Sequence, residues 1–409
     1  MSTFIFYAVI TILLLDFALG RTLSYLNIKA SRSQIPDLLV GLYDEAKYDK
    51  QQRYFRTNAK FGWTTASFSF LLILCMYSFG GFAWVDGIAR SLVENELLVS
   101  LFFFGILFFA NDLLNISFEL YDIFVIETRF EFNKITPKIY IFDKLKGWGL
   151  SLVIGGGLAT AIILIYQQIP DYFWLVAWAV VSAFGLFMSL FYSELIVPLF
   201  NKQTPLEAGE LRDAIEVFAE KTDFQLKNIY VIDGSKRSTK ANAYFTGWGR
   251  KKRIVLYDTL INELTTSEIV AVLAHEIGHN KHKHTIKGII LSLATNLIMF
   301  FLLGLILNND AFAQALGCQQ ASFHINLLVF SILYTPLSLV LDVFGNLLSR
   351  KHEYQADAFV KANGYGEQLI SALKKISSST LSNLTPHPAF VFFHYSHPTL
   401  YQRVKALVN

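Results

Sequence analysis

Seven stretches of this chain are apolar over about the 20 residues that a helix needs to cross the hydrocarbon core of a bilayer. They run from Phe4 to Leu19, Phe61 to Trp84, Leu97 to Ile116, Gly149 to Tyr166, Tyr172 to Phe200, Ile286 to Leu307 and His324 to Leu348. In hydrocarbon a segment must satisfy its own backbone N–H and C=O groups, so runs of this length read as helices. The composition agrees. Only 16% of the 409 residues are charged, against about 25% in soluble domains. That deficit excludes a disordered chain, an ordinary cytosolic enzyme and a nucleic-acid binder. Two cysteines, Cys75 and Cys318, exclude a disulfide scaffold and a four-cysteine zinc site.

The first run has no basic residue before it, so it reads as an uncleaved anchor and not as a secretory signal. Lys and Arg then alternate between rich and poor segments. Gly20 to Lys60 holds eight, Val85 to Glu96 one, Ser117 to Trp148 five, and Gln167 to Asp171 none. Asn201 to Thr285 holds thirteen, Asn308 to Phe323 none, and Ser349 to the end seven. The positive-inside rule therefore predicts an outer N-terminus and a cytoplasmic C-terminus. The expected organisation is mainly α. Residues 1–200 carry spans one to five, with cytoplasmic loops at 20–60 and 117–148. Residues 201–285 form a cytoplasmic region, 286–348 carry spans six and seven, and 349–409 form a cytoplasmic helical tail.

In the first cytoplasmic region, Leu206 to Lys221 has the spacing of an amphipathic helix, and Lys227 to Ile232 reads as a strand. Lys240 to Thr246 and Arg253 to Tyr257 flank a turn at Gly247 to Lys252, which predicts a hairpin. A helix is expected from Thr266 or Ser267, supported by Glu268 in its first turn and running without a breaker toward the sixth span.

That helix carries His275-Glu276-Ile277-Gly278-His279. Residues i and i+4 lie one turn apart on one helix face, so both imidazoles can bind one Zn²⁺. The glutamate between them can serve as general base toward a water that the metal activates. The bland alternative is a polar helix surface with two solvated histidines. A catalytic zinc needs a third protein ligand. Downstream, Glu353 and Asp357 are again i and i+4. Glu353 fits the third ligand, and Asp357 fits a partner accepting from a ligand histidine's other N–H. Two spans separate His279 from Glu353, which returns the chain to the same side. The alternative is that Glu353 pairs with Arg350 or Lys351 on a solvated helix. His282 is a spare histidine on nearly the same face as His275, and His284 reads as a hydrogen-bonding residue at the membrane edge. Asn111, Asp112 and Asn115, polar within the third span, suit a wet cavity or a helix partner.

Further motifs carry a resemblance. They include Phe124 to Lys134 (FVIETRFEFNK), Ile196 to Lys202 (IVPLFNK) followed by Thr204-Pro205-Leu206, and Ala241 to Gly247 (ANAYFTG). His284-Thr285, the Glu353 segment and Ser396-His397-Pro398-Thr399 complete the set. With HExxH, the chain resembles, over nearly its whole length, the integral-membrane zinc metalloproteases known as type I CaaX prenyl proteases. The resemblance implies seven transmembrane helices enclosing a membrane chamber, with a cytoplasmic zinc-metalloprotease domain containing a small β-hairpin or sheet. It implies one Zn²⁺ on His275, His279 and Glu353, with Glu276 as general base. Asn242 and Ala243 match the edge strand that holds the substrate backbone by β-augmentation. His397 and Arg403 match C-terminal polar groups facing the site, with the chemistry to stabilise an oxyanion.

The expected reaction is hydrolysis of a peptide bond near the C-terminus of a CaaX substrate, possibly prenylated. The partners are peptide or protein substrate and membrane lipid, with no nucleic acid, and the chain is expected to be a monomer. The alternative is a membrane quality-control metalloprotease without prenyl specificity. A zinc transporter would place its ligands inside the spans, and here they lie outside. The chain ends Ala-Leu-Val-Asn without a retrieval signal and is short for a eukaryotic member. This leans toward a bacterial inner membrane, with the endoplasmic reticulum as the eukaryotic counterpart.

Overall fold

The computed structural model describes all residues except 32–33, 225, 227, 247–252 and 320. The helices outlast the apolar runs that announce them. Helix α1 (Ser2–Ala30) has 29 residues, or roughly 43 Å at 1.5 Å per residue, against a hydrocarbon core of roughly 30 Å. Helix α2 (Glu45–Ser78) begins well before its apolar part, where the Asp44 side chain accepts from the Lys47 N–H. It ends at Ser78, and Gly80 turns the chain with φ 70° into a separate helix α3 (Gly81–Leu92). The second span therefore does not reach Trp84, as hydropathy alone suggested. The Gly80-Gly81 pair is the break, since glycine takes positive φ without a Cβ clash.

Helix α4 (Glu96–Tyr121) is capped by Asn95 and runs on through a π-helical turn, Asp122–Glu127. Helices α5 (Pro137–Leu150) and α6 (Gly156–Gln168) are joined by a π-helical turn, Ser151–Gly155, into one long span. Within this part Lys144 pairs with Asp112 and Glu119, each at 2.8 Å, and the Trp148 indole donates to Asp112 at 2.8 Å. The polar end of the third span thus has a helix partner. Helix α7 (Phe173–Leu195) and the single turn α8 (Val197–Phe200) return the chain to the polar side.

There a four-stranded sheet forms in the order β1-β2-β4-β3. Strands β1 (Gln203–Pro205) and β2 (Asn228–Ile232) are antiparallel, with helix α9 (Glu210–Lys221) between them in sequence. Strand β4 (Arg253–Tyr257) is parallel to β2, and β3 (Ala243–Thr246) pairs with β4 in an antiparallel register that sets Ala243 opposite Leu256. The hairpin is as expected; its turn at Gly247 to Lys252 lies outside the described residues, as does Lys227. Strand β1 was not anticipated. Three polar or imino residues carry no strand periodicity of their own, and pairing with β2 makes the strand.

After a short α10 (Asp258–Glu263), helix α11 (Thr266–Lys281) starts in a capping box between Thr265 and Glu268. It does not run on into the sixth span. Lys283 adopts a left-handed conformation, φ 57°, and α12 (His284–Ile306) starts afresh at His284. No Gly or Pro marks this break, so sequence pattern alone could not find it. The next span passes a short α13 (Asp310–Ala315) and is a bent pair, α14 (Phe323–Leu333) and α15 (Thr335–Ala362), kinked by 55°. Pro336 in the first turn of α15 lacks the N–H that would continue α14. The tail folds as α16 (Gly366–Ser379), α17 (Pro388–His394) and α18 (Leu400–Val408).

Among the described residues six helical segments are long and apolar enough to span a membrane, and the bent pair makes seven. Below them one apolar core joins the sheet and α9, α11, α15, α16 and α18, through residues such as Phe218, Leu256, Ile269, Leu273, Val360 and Leu407. Helices α11 and α15 pack face to face, closely enough that a Cβ on Gly278 would lie 3.1 Å from the Ala356 Cα.

Candidate active site

The α11–α15 contact brings the residues of interest together. His275 and His279 lie one turn apart on α11, and Glu353 faces them from α15. The two Nε2 atoms are 3.1 Å apart. His279 Nε2 lies 3.2 Å from Glu353 Oε1, and His275 Nε2 lies 3.4 Å from Oε2. All three donor atoms fall within 4.8 Å of one another. Tetrahedral zinc with bonds of about 2.0–2.1 Å holds its ligand atoms roughly 3.3 Å apart. Glu353 is only 3% exposed, and its Oε2 is a buried acceptor without a hydrogen bond. A buried carboxylate oxygen left unpaired is costly, and a cation at the centre of the three donors would satisfy it. The donor set fits a metal, and three protein ligands leave a coordination position open.

The outer nitrogens of both histidines are engaged. His275 Nδ1–H donates to Asp357 Oδ1 at 2.9 Å. His279 Nδ1–H donates to His284 Nδ1 at 3.0 Å, and His284 Nε2–H donates to Gln355 Oε1 at 2.8 Å. These bonds fix the tautomers in which each Nε2 lone pair points at the donor cluster. His284 is thus a hydrogen-bonding residue, with its ring also stacked on His352 at 3.9 Å. Its link to His279 was not foreseen, because the turn at Lys283 that swings it back is invisible to periodicity.

Arg403 on α18 grips Asp357 with two bonds, Nε to Oδ2 at 2.9 Å and Nη2 to Oδ1 at 2.6 Å. Its Nη1 is 3.5 Å from Glu353 Oε2. Burial works against the guanidinium charge, but the Asp357 carboxylate outweighs it and holds Arg403 firmly cationic. For His275, burial likewise disfavours the charged ring, and the Asp357 and Glu353 carboxylates outweigh it and raise its pKa. His397, on the turn before α18, places Nε2 3.4 Å from Glu353 Oε1 while its side chain stays 63% exposed. Ser396 Oγ contacts its Nδ1 at 3.0 Å.

His275, His279, His284, Glu353, His397 and Arg403 line one cavity of about 770 Å³, together with Glu276, Ala241, Asn242 and Ala243. Strand β3 is the last in the sheet order and, among the described residues, pairs with β4 alone. The Asn242 carbonyl accepts from the Tyr257 N–H at 3.1 Å, and the Asn242 side chain accepts from the Ala243 N–H at 2.8 Å. A sheet edge at the rim of the cavity can take an extended peptide as a further strand. A three-donor cluster, a carboxylate beside it and a cavity bordered by a sheet edge are the parts of a metal-dependent hydrolase.

Known proteins match the chain along nearly its whole length. A family model described as CAAX prenyl protease N-terminal, five membrane helices, matches residues 24–202, and the model of peptidase family M48 matches residues 205–409. The chain belongs to peptidase family M48. This M48 protein is 36% identical over 399 residues to a CAAX prenyl protease 1 homolog of Oryza sativa subsp. japonica, covering 94% of this chain and 93% of that one. It is 35% identical to CAAX prenyl protease 1 of Saccharomyces cerevisiae, over 93% of this chain and 89% of that one. The crystal structure of S. mikatae Ste24p superimposes with a TM-score of 0.94 at 33% identity, covering 99% of each chain. The M48 chain is therefore a multi-pass membrane metallopeptidase.

Proposed function

We propose that this chain is a zinc-dependent membrane endopeptidase that cleaves near the C-terminus of CaaX substrates, prenylated ones included. The observation that carries the reading is the His275–His279–Glu353 donor cluster, buried at His275 and Glu353 and half-buried at His279, sharing one cavity with Glu276 and the edge of the sheet. The names of the relatives supply the CaaX class. All three donors come from one chain, which supports action as a monomer.

Zn²⁺ on His275, His279 and Glu353 would supply Lewis acidity to a water and to the scissile carbonyl. The protein's own groups do the rest. The Ala243 edge aligns the substrate backbone. The Glu276 carboxylate takes the proton from the attacking water and passes it to the leaving amine nitrogen. His397 Nε2 and Arg403 Nη1 donate toward the charge that develops on the carbonyl oxygen. Asp357 holds the His275 ring and is itself held by Arg403. The Lys and Arg distribution supports a cytoplasmic site and an outer N-terminus. The membrane follows from the source: endoplasmic reticulum in a eukaryote, inner membrane in a bacterium.

The test compares farnesylated CaaX, unprenylated CaaX and misfolded membrane peptides on the purified protein, with and without a chelator. Chelator-sensitive cleavage of the CaaX peptides supports the reading. Cleavage of the misfolded peptides alone would replace it with a quality-control protease.

A further inference from the structure

The active-site cavity continues into the membrane. A second compartment of about 610 Å³ shares Gly288, Leu291 and Gly345 with it and lies between α12 and α15. Its polar wall includes Ser292, Thr295, Asn296, Ser338, Asp342 and Asn346. Tyr334 at the bend and Ser338, Asp342, Gly345 and Asn346 on α15 recur with the helical period, so this face of the helix turns to the compartment.

Asp342 is exposed there and has no ion-pair or hydrogen-bond partner among the described residues. No Lys or Arg lines the compartment among those residues, burial disfavours the charged form of its one histidine, His394, and Arg403 in the adjoining cavity is taken by Asp357. A carboxylate within a span, facing a cavity and unpaired, is expensive to keep and marks a path for a ligand. An uncompensated anion in a polar compartment attracts a cation.

The position measures which cation. Asp342 lies eleven residues from Glu353 on one continuous helix, about 16 Å at 1.5 Å per residue. An extended peptide advances about 3.3 Å per residue, so that gap spans about five residues. A CaaX motif has four residues, so a scissile bond within it is followed by at most three, and these end in a carboxylate that Asp342 repels. The N-terminal side of the substrate therefore takes this compartment. We propose that Asp342, with Asn296 and Asn346 beside it, is a specificity subsite for a basic side chain about five residues N-terminal to the scissile bond. This rests on the CaaX endopeptidase reading.

The test uses the full-length protein and three CaaX peptides that differ at that one position, carrying Lys, norleucine or Glu. The wild type should favour the Lys peptide by roughly tenfold in kcat/KM, the equivalent of about 1.4 kcal/mol. Asp342→Asn should bring the ratio to about one, and Asp342→Lys should invert it toward a Glu peptide. An equal ratio in wild type and Asp342→Asn overturns the proposal. Equilibrium binding of the Lys and norleucine peptides to a Glu276→Gln background reads the preference without turnover. It decides the subsite even if CaaX cleavage fails, and equal binding, or none, also overturns it.

Discussion

Gly278 sits inside the HExxH motif, and the structure makes it the spacer between the two helices that build the site. A Cβ at this position would meet the Ala356 Cα at 3.1 Å, the Ala356 carbonyl oxygen at 3.2 Å and the Phe359 Cβ at 3.2 Å. Ordinary carbon contacts are about 3.5–4.0 Å. Two of the three atoms are backbone and cannot rotate away. Gly278→Ala must therefore push α15 from α11 by roughly 0.4 Å, against a distance tolerance of about 0.2 Å at a metal site. The displacement falls between Glu353 and Asp357, the two residues that α15 contributes. We expect a loss of about 1–3 kcal/mol in stability, the usual cost of overpacking. We also expect zinc affinity to fall by about 10–100-fold, as when a supporting contact is lost. Chelator competition reads the affinity and thermal unfolding reads the stability. Gly185→Ala is the control, since a Cβ there meets nothing within 4 Å. If Gly278→Ala binds zinc as the wild type does, the helix separation does not set the site and the argument fails.

Glu276→Gln should retain zinc and lose cleavage by about two orders of magnitude or more; undiminished turnover would remove it as the base. Glu353→Ala should lose zinc, which elemental analysis of the purified variant checks. Asp357→Asn leaves the buried Arg403 charge unmatched, so unfolding should show a loss of about 3 kcal/mol, with zinc affinity reduced about 10–100-fold. Glu268 joins α11 to α16 through Ser371 at 2.6 Å and Lys375 at 2.7 Å. Burial would raise its carboxyl, but the bonds from Lys375, Ser371 and Thr265 prevail and hold it at about 2. A depressed carboxyl stabilises above its unfolded pKa and stops doing so as pH falls through the folded value. Glu268→Gln should thus cost about 2 kcal/mol at neutral pH, discounted for the half-exposed Lys375. That cost should shrink between about pH 4.5 and pH 2, which denaturation curves across the range would reveal.

The legible parts of this protein are those written in local periodicity. Two histidines four residues apart on a helix declare a shared face without any knowledge of the fold. Glu353 was within reach because counting spans gives the side to which the chain returns. What pattern reading missed depends on tertiary partners. Lys283 breaks the helix with no glycine or proline to announce it, and His284 reaches His279 only because of that break. Trp84 extends an apolar run, yet belongs to another helix, because hydropathy does not register a turn made of Gly80 and Gly81. The grip of Arg403 on Asp357 joins residues 46 positions apart, and spacing does not disclose it.

Helix α15 is a lever. It is fixed at the Pro336 bend within the bilayer, and Glu353 sits on the same unbroken rod about 26 Å away at 1.5 Å per residue. A rotation of one degree at the bend moves that carboxylate by roughly 0.5 Å, more than a metal site tolerates. Spanning helices answer a thicker or thinner bilayer by changing tilt. The place of a ligand carboxylate is thereby tied to the tilt of a spanning helix, and the donor cluster is mechanically continuous with the membrane segment.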